Sequence, residues 1–195
     1  MPAPMIVRLA ESGEADERAA ELADLHAEVY GGLAYSSDPD GRDFAARLRT
    51  HRRQPGFTLA VAFSGGFLIG CAMGMPLRPA TSWWRGVTTA LAEDVTVEHP
   101  GRTFALVELM VRSAWRRQGI GRTLHDLVLA GRPEERATLV VPPAATAAQS
   151  AFQNWGWHKI ARTRTAAPGA PAADVLTIEL AAVHSGDFRS RDRWD

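Results

Sequence analysis

The chain has a single cysteine, Cys71. No internal disulfide can form, and a reducing compartment such as the cytoplasm is the expectation. Lysine is as scarce: Lys159 is the only one, and the other basic residues are arginines. With the many alanines, this points to high-GC bacterial coding rather than to a function. Net charge is also missing, since 22 basic residues meet 22 acidic ones. A neutral chain without a basic stripe of interleaved aromatics argues against nucleic acid and against adhesion to a membrane surface. No apolar run approaches the roughly 18 residues of a membrane span. Met1–Ala10 lacks the basic-then-apolar layout of a secretory leader. The six histidines are scattered without ligand spacing, so no metal is expected.

What is present is one domain's length, 195 residues, with 46% apolar residues, enough for a sizeable core. The chain is organised around Leu106–Leu124. It opens as an apolar strand, Phe104–Val111, interrupted by one carboxylate, Glu108. A polar turn follows, and Gly119 and Gly121 begin an amphipathic helix in which Ile120, Leu124, Leu127 and Val128 share one face. The first turn of a helix offers unpaired N–H groups and the positive end of its dipole, which suits an anion and most often a phosphate. Arg116, Arg117 and Arg122 bracket this turn. A Walker loop would need Gly-Lys-Ser/Thr at the helix start, and a dinucleotide fingerprint would need a third glycine near Leu124. Both are missing.

The rest of the chain supplies the frame. Met5–Leu9 reads as a strand, Glu14–Tyr30 as a helix with Leu22, Leu25 and Val29 inward, and His26 as a partly buried helix residue. Gly31–Asp40 is a turn-rich loop carrying Tyr35, with Asp38-Pro39 suited to start a helix. The following helix, Phe44–Gln54, ends in His51-Arg52-Arg53, read as a solvated C-terminus. Phe57–Phe63 and Phe67–Met75 form a hairpin about Ser64-Gly65-Gly66. The long connection Leu77–Arg102 carries Trp83-Trp84 and acidic residues Glu93, Asp94 and Glu98, a candidate substrate wall or a cover for the core. Arg136–Val141, Trp157–Thr163 and Val175–Leu180 read as strands, and Ala144–Trp155 as a helix capped by Gly156. Val183–Asp195 is expected to fray. No repeat or second domain is evident.

Arg116-x-x-Gly119-x-Gly121 after an apolar strand resembles motif A of the GNAT acyltransferase superfamily, Arg/Gln-x-x-Gly-x-Gly/Ala. Gln149–Trp157 resembles the same family's motif B helix, which usually ends in Tyr-x-x-x-Gly-Phe; here the glycine is Gly156 and the aromatic Trp157. The element order β-α-α-β-β-β-α-β-α-β-β is similar to that family over nearly the whole chain. The resemblance implies an α/β (α+β type) fold, one domain over 1–182. Its central mixed, twisted sheet of roughly six to seven strands would be flanked by about four helices and splayed at the central strand.

The resemblance also implies roles. The backbone of Leu109, Met110 and Val111 would pair with the pantetheine arm of acetyl-CoA, and the same donors would stabilise the oxyanion formed when an amine attacks the thioester. Gln118, Gly119, Ile120, Gly121 and Arg122 would give amides to the pyrophosphate, with Arg116 and Arg117 adding side chains. Glu108 is the candidate general base; the alternative is a buried structural glutamate paired with an arginine. The family's usual tyrosine, whose hydroxyl protonates the leaving thiolate, is Phe152 here, at the cofactor position, and a common asparagine is Ala145. General-acid help is worth roughly 10²–10⁴ in rate, yet a thiol of pKa about 8.5 leaves tolerably near neutral pH. Tyr30, Tyr35, Ser150 or water could substitute.

The leading expectation is a cytoplasmic, bacterial, acetyl-CoA-dependent N-acetyltransferase acting directly on the amine of a small molecule or peptide, without metal, nucleic acid or membrane. Its pocket would lie between the first helices, the Leu77–Arg102 segment and the carboxyl end of the central strand. The acidic residues there would suit a cationic acceptor. The resemblance makes a homodimer the default assembly. The alternative is an acyl-CoA-binding sensor or partner subunit with little or no catalysis.

Overall fold

A computed structural model describes residues 4–33, 42–164 and 172–180. Seven strands form one sheet: β1 (Met5–Leu9), β2 (Thr58–Ser64), β3 (Phe67–Pro76), β4 (Thr103–Val111), β5 (Arg136–Val141), β6 (His158–Thr163) and β7 (Ala173–Glu179). Their spatial order is β1-β2-β3-β4-β5-β7-β6. Every pairing is antiparallel except β4 with β5, so the sheet is mixed. The helical segments are α1 (Glu14–Glu17), α2 (Ala19–Tyr30), α3 (Arg42–His51), α4 (Glu93–Thr96), α5 (Ile120–Leu129) and α6 (Thr146–Asn154).

Strand alternation divides the core in two. Ala60, Ala62, Ile69, Ala72, Leu139 and Val141 face one side, where Ile120, Leu124 and Val128 of α5 and Phe152 of α6 cover them. Leu59, Val61, Cys71 and Met73 face the other, beneath Leu22 and Leu25 of α2 and Phe44 and Leu48 of α3. In α2 the buried residues Leu22, Leu25 and His26 lie at i, i+3 and i+4, so the helix docks on one stripe.

Four expectations change. The first helix is broken at Arg18, whose guanidinium turns back to Glu14 at 2.7 Å and lies 4.5 Å from the Phe63 ring centre. The basic cluster after α3 is only partly solvated: Arg52 pairs with Asp16 of α1, while burial and the Arg47 charge lower the His51 pKa. The segment between β3 and β4 contains the short α4, which no apolar periodicity suggests. Its acidic patch is divided: Glu93 and Asp94 are exposed, but Glu98 is buried, accepting hydrogen bonds from the Trp84 indole and the Thr103 hydroxyl, both at 2.9 Å, and from Arg136 at 3.2 Å. Arg136 lies on the face of β5 opposite Ala137 and Leu139, so this segment covers β5 on the α2–α3 side of the sheet. Tyr35, Asp38-Pro39 and the 183–195 tail lie outside the described residues.

Glu14 fastens the entrance of the fold. It accepts from Arg8 of β1 at 2.7 and 2.9 Å, from Arg18 at 2.7 Å and from the Glu11 amide at 3.0 Å. The Arg8 bond leads the effects that hold its carboxyl down at about 2, against the opposing effect of burial. A depressed folded-state pKa contributes stability above the unfolded value that is lost as pH falls through the folded one. Glu14→Gln is therefore expected to lower the unfolding free energy at pH 7 and to flatten its fall between about pH 5 and 2, read from urea titrations. An unchanged acid limb would contradict this role.

Candidate active site

The site begins where β4 leaves β5. The two strands pair only at Thr103–Arg136, Phe104–Ala137 and Ala105–Thr138. Beyond Ala105, β4 remains bonded to β3 as far as Gly70–Val111, but among the described residues its other edge has no strand partner. The splay expected at the central strand is present, and it opens a row of backbone donors and acceptors along Leu106–Val111.

A bulge sets the direction of the one carboxylate on that stretch. Met73 pairs with Glu108 and Gly74 with Leu106, so Val107 is an extra residue. Before it, Phe104 and Leu106 face α5; after it, Leu109 and Val111 do. Met110, two residues from Glu108, lies in the α2–α3 core. One inserted residue flips every later side chain to the other face. Glu108 is thereby directed to α2 and α3 rather than into the apolar packing beneath α5.

There its side chain is 12% exposed. The Tyr30 hydroxyl, at the end of α2, donates to its Oε2 at 3.3 Å, and Arg47 Nη2 of α3 lies 3.5 Å from Oε1. The same Arg47 nitrogen is 3.5 Å from His26 Nε2, and the His26 ring lies 4.5 Å from that of Phe44 and 4.6 Å from that of Tyr30. These are long contacts. Glu134, a structural carboxylate, holds Arg132 at 2.6 and 2.9 Å. Cys71, also on this face, is fully buried; burial first, and the Glu108 charge second, push its thiol pKa far up. It is a poor nucleophile at neutral pH.

The loop after β4 leads through a turn of 3₁₀ helix, Ser113–Trp115, to α5. Arg116 Nε bonds back to the Val111 carbonyl at 3.0 Å, and Gln118 Nε2 to the Ala114 carbonyl at 3.4 Å. Arg117 is left-handed at φ 65°, which fits an enforced turn. Gly119 caps α5 at φ 83°, with no side-chain cap, and the first intrahelical bond runs from the Thr123 amide to its carbonyl. The amides of Ile120, Gly121 and Arg122 precede that bond and have no intrahelical acceptor. A Cβ on Gly119 would meet nothing within 4 Å, so the approach to these amides is open. Arg116, Arg117, Gln118 and Arg122 are exposed.

The two halves of the expected site thus adjoin: Leu109, Met110 and Val111 on the open edge, and residues 116–122 after it. Phe152 instead sits in the core, edge-on to Trp155 and Trp157 at 5.5 and 5.8 Å, with Ala145 partly buried at the same core. Arg47 had no signal in the sequence, since its contact with Glu108 spans 61 positions; that of Tyr30 spans 78. The Val107 bulge was equally invisible.

The fold as a whole is shared with known acetyltransferase structures. An acetyltransferase from Thermus thermophilus superposes with a TM-score of 0.62 at 17% identity, covering 92% of this chain and 99% of that one. The PaiA N-acetyltransferase of Thermoplasma acidophilum, solved with coenzyme A, gives 0.58 at 12% identity over 90% and 99%. An aminoglycoside 6'-acetyltransferase type Ii gives 0.64 at 13% identity over 90% and 97%. No curated protein sequence matches. The family model for the acetyltransferase (GNAT) family matches residues 19–157, and the chain belongs to that family.

The two glycines at the helix start differ. Gly119 needs a left-handed backbone, so Gly119→Ala should destabilise by about 1–2 kcal/mol. Gly121 is helical and its added Cβ would make ordinary contacts of 3.8 and 3.9 Å with Val111 and Trp155, so Gly121→Ala should gain up to about 1 kcal/mol. Denaturant titration of both variants checks the opposite signs; equal effects would contradict the cap geometry.

Proposed function

We propose that the chain is an acetyl-CoA-dependent N-acetyltransferase that passes an acetyl group directly to the amine of a small molecule or peptide. The observation that carries this reading is the bulge at Val107, which puts Glu108 on the α2–α3 face beside the open edge of β4. The residues present fit the cofactor. Unpaired β4 backbone suits an amide-bearing arm, and the first-turn amides of α5 suit a pyrophosphate. The thioester supplies the acetyl group.

The acceptor enters from the α2–α3 side, where Glu108 takes the proton that an ammonium must lose before its nitrogen can attack. Contacts to Tyr30 and Arg47 orient this carboxylate on the α2–α3 side. The β4 amides beyond Ala105 are the donors available for charge on the thioester oxygen. Direct transfer is favoured because Cys71, the only cysteine, is buried and protonated. With Phe152 in the core, the leaving thiolate relies on its own acidity or on another donor, and among the described residues Tyr30 is the phenol beside the base. Glu98 is bound to Arg136, while Arg47 brings a positive charge beside Glu108, so a strongly cationic acceptor loses part of its support. No helix among the described residues is long and apolar enough to cross a membrane. A cytoplasmic setting belongs to the same proposal and is supported by the single, buried thiol.

Purified protein supplied with acetyl-CoA and a panel of amines should release CoA with one acceptor class. Glu108→Gln should lower kcat/KM roughly 10²–10⁴-fold while leaving calorimetric acetyl-CoA affinity unchanged. Tight binding with no turnover across the panel would favour an acyl-CoA-binding sensor instead.

A further inference from the structure

Behind the first turn of α5 lies a hydrogen-bonded chain that neither motif includes. The Trp157 indole N–H, at the start of β6, donates to His125 Nε2 at 2.9 Å. Indole nitrogen is only a donor, so Nε2 is the acceptor and the imidazole proton is on Nδ1. Nδ1 donates it to Asp126 Oδ1, 2.8 Å away. Asp126 Oδ2 in turn accepts from Arg122 Nε at 2.8 Å, and the Arg122 guanidinium lies 5.5 Å from the Trp155 ring centre. His125 and Trp157 are buried, whereas the Arg122 side chain stays 46% exposed. Burial opposes the Asp126 charge, but the bonds from His125 and Arg122 outweigh it and hold the carboxyl below its usual range.

This arrangement is poor for the helix. A cation in the first turn opposes the dipole, and a basic residue four places before an acidic one is the weaker order of an i,i+4 pair. Departures from local rules that are nonetheless built in with buried support mark functional positions. Like Arg116, whose Nε is bonded to the Val111 carbonyl, Arg122 has its Nε held, here by Asp126, and among the described residues its Nη groups have no hydrogen-bond acceptor.

We propose that Asp126 is a positioning residue for the cofactor's phosphates: oriented by the His125–Trp157 pair, it fixes Arg122 so that its guanidinium meets the anion at the start of α5. This rests on the reading that α5 receives the pyrophosphate. Its effect opposes simple charge logic, since removing a carboxylate near an anion would by itself tighten binding.

The test is calorimetric affinity for acetyl-CoA and for S-acetylpantetheine, which lacks the phosphates, in Asp126→Asn, Arg122→Gln, the double variant and Trp157→Phe. Asp126→Asn should weaken acetyl-CoA binding about 3- to 10-fold, leave S-acetylpantetheine unaffected, and add nothing in the Arg122→Gln background. Trp157→Phe should act in the same direction and also through Arg122, which keeps the comparison available if one variant folds poorly. Equal or tighter acetyl-CoA binding in Asp126→Asn, an equal loss for both ligands, or a loss added to that of Arg122→Gln would overturn the positioning role. Unsubstituted protein that binds acetyl-CoA no better than S-acetylpantetheine would overturn the pyrophosphate reading as well.

Discussion

After Ala105, β4 and β5 part, and the site takes its form from that separation. A strand in the middle of a sheet ordinarily has both edges satisfied, because buried backbone groups without partners are costly. Here one edge is satisfied by β3 and the other is left open over half the strand. The sheet tolerates this because β5 is held elsewhere, pairing with β7 along its whole length from Arg136–Glu179 to Val141–Asp174. The loop that follows β4 must then turn sharply, and the left-handed Arg117 and Gly119 deliver α5 with no side chain capping its first amides. Strand edge and helix start are thus two consequences of one departure.

Arginines hold the buried structural carboxylates. Glu14, Glu98 and Glu134 are buried and engaged by arginines at 2.6 to 3.2 Å, and of these pairs Glu98–Arg136 spans 38 positions. Breaking one such buried pair leaves an uncompensated charge. Glu108 also lies near an arginine, but at 3.5 Å and with a phenol at 3.3 Å. At 12% exposure its side chain stands at the boundary between core and solvent. The near-exclusive use of arginine suits the structural pairs, because a planar fork holds a carboxylate through two nitrogens, as Arg132 does with Glu134.

Much of this was legible in the sequence. Met5–Leu9, read from its alternation, and Arg136–Val141, stopped by Pro142-Pro143, appear with the expected boundaries, and the apolar stripe of α5 buries Ile120, Leu124 and Val128. Periodicity and glycine placement are local signals, so they survive without a structure. What could not be read is long-range. Which face Glu108 occupies depends on one extra residue in the β3–β4 register, and the contacts of Tyr30 and Arg47 depend on how α2 and α3 cross the sheet. The acidic patch misled for the same reason: Glu98 looks like its neighbours in sequence, but Arg136, 38 positions away, takes it out of solvent. His125 and Asp126 read as ordinary helix residues until Trp157 is placed beside them.

The central claim is that the open edge of β4 receives the cofactor. Residue-resolved amide hydrogen exchange, with and without acetyl-CoA, tests it most directly. Protection should rise within Leu106–Val111 and in the first turn of α5, with little change at Thr103–Ala105, which β5 already covers. Binding of acetyl-CoA with no added protection along Leu106–Val111 would contradict the account.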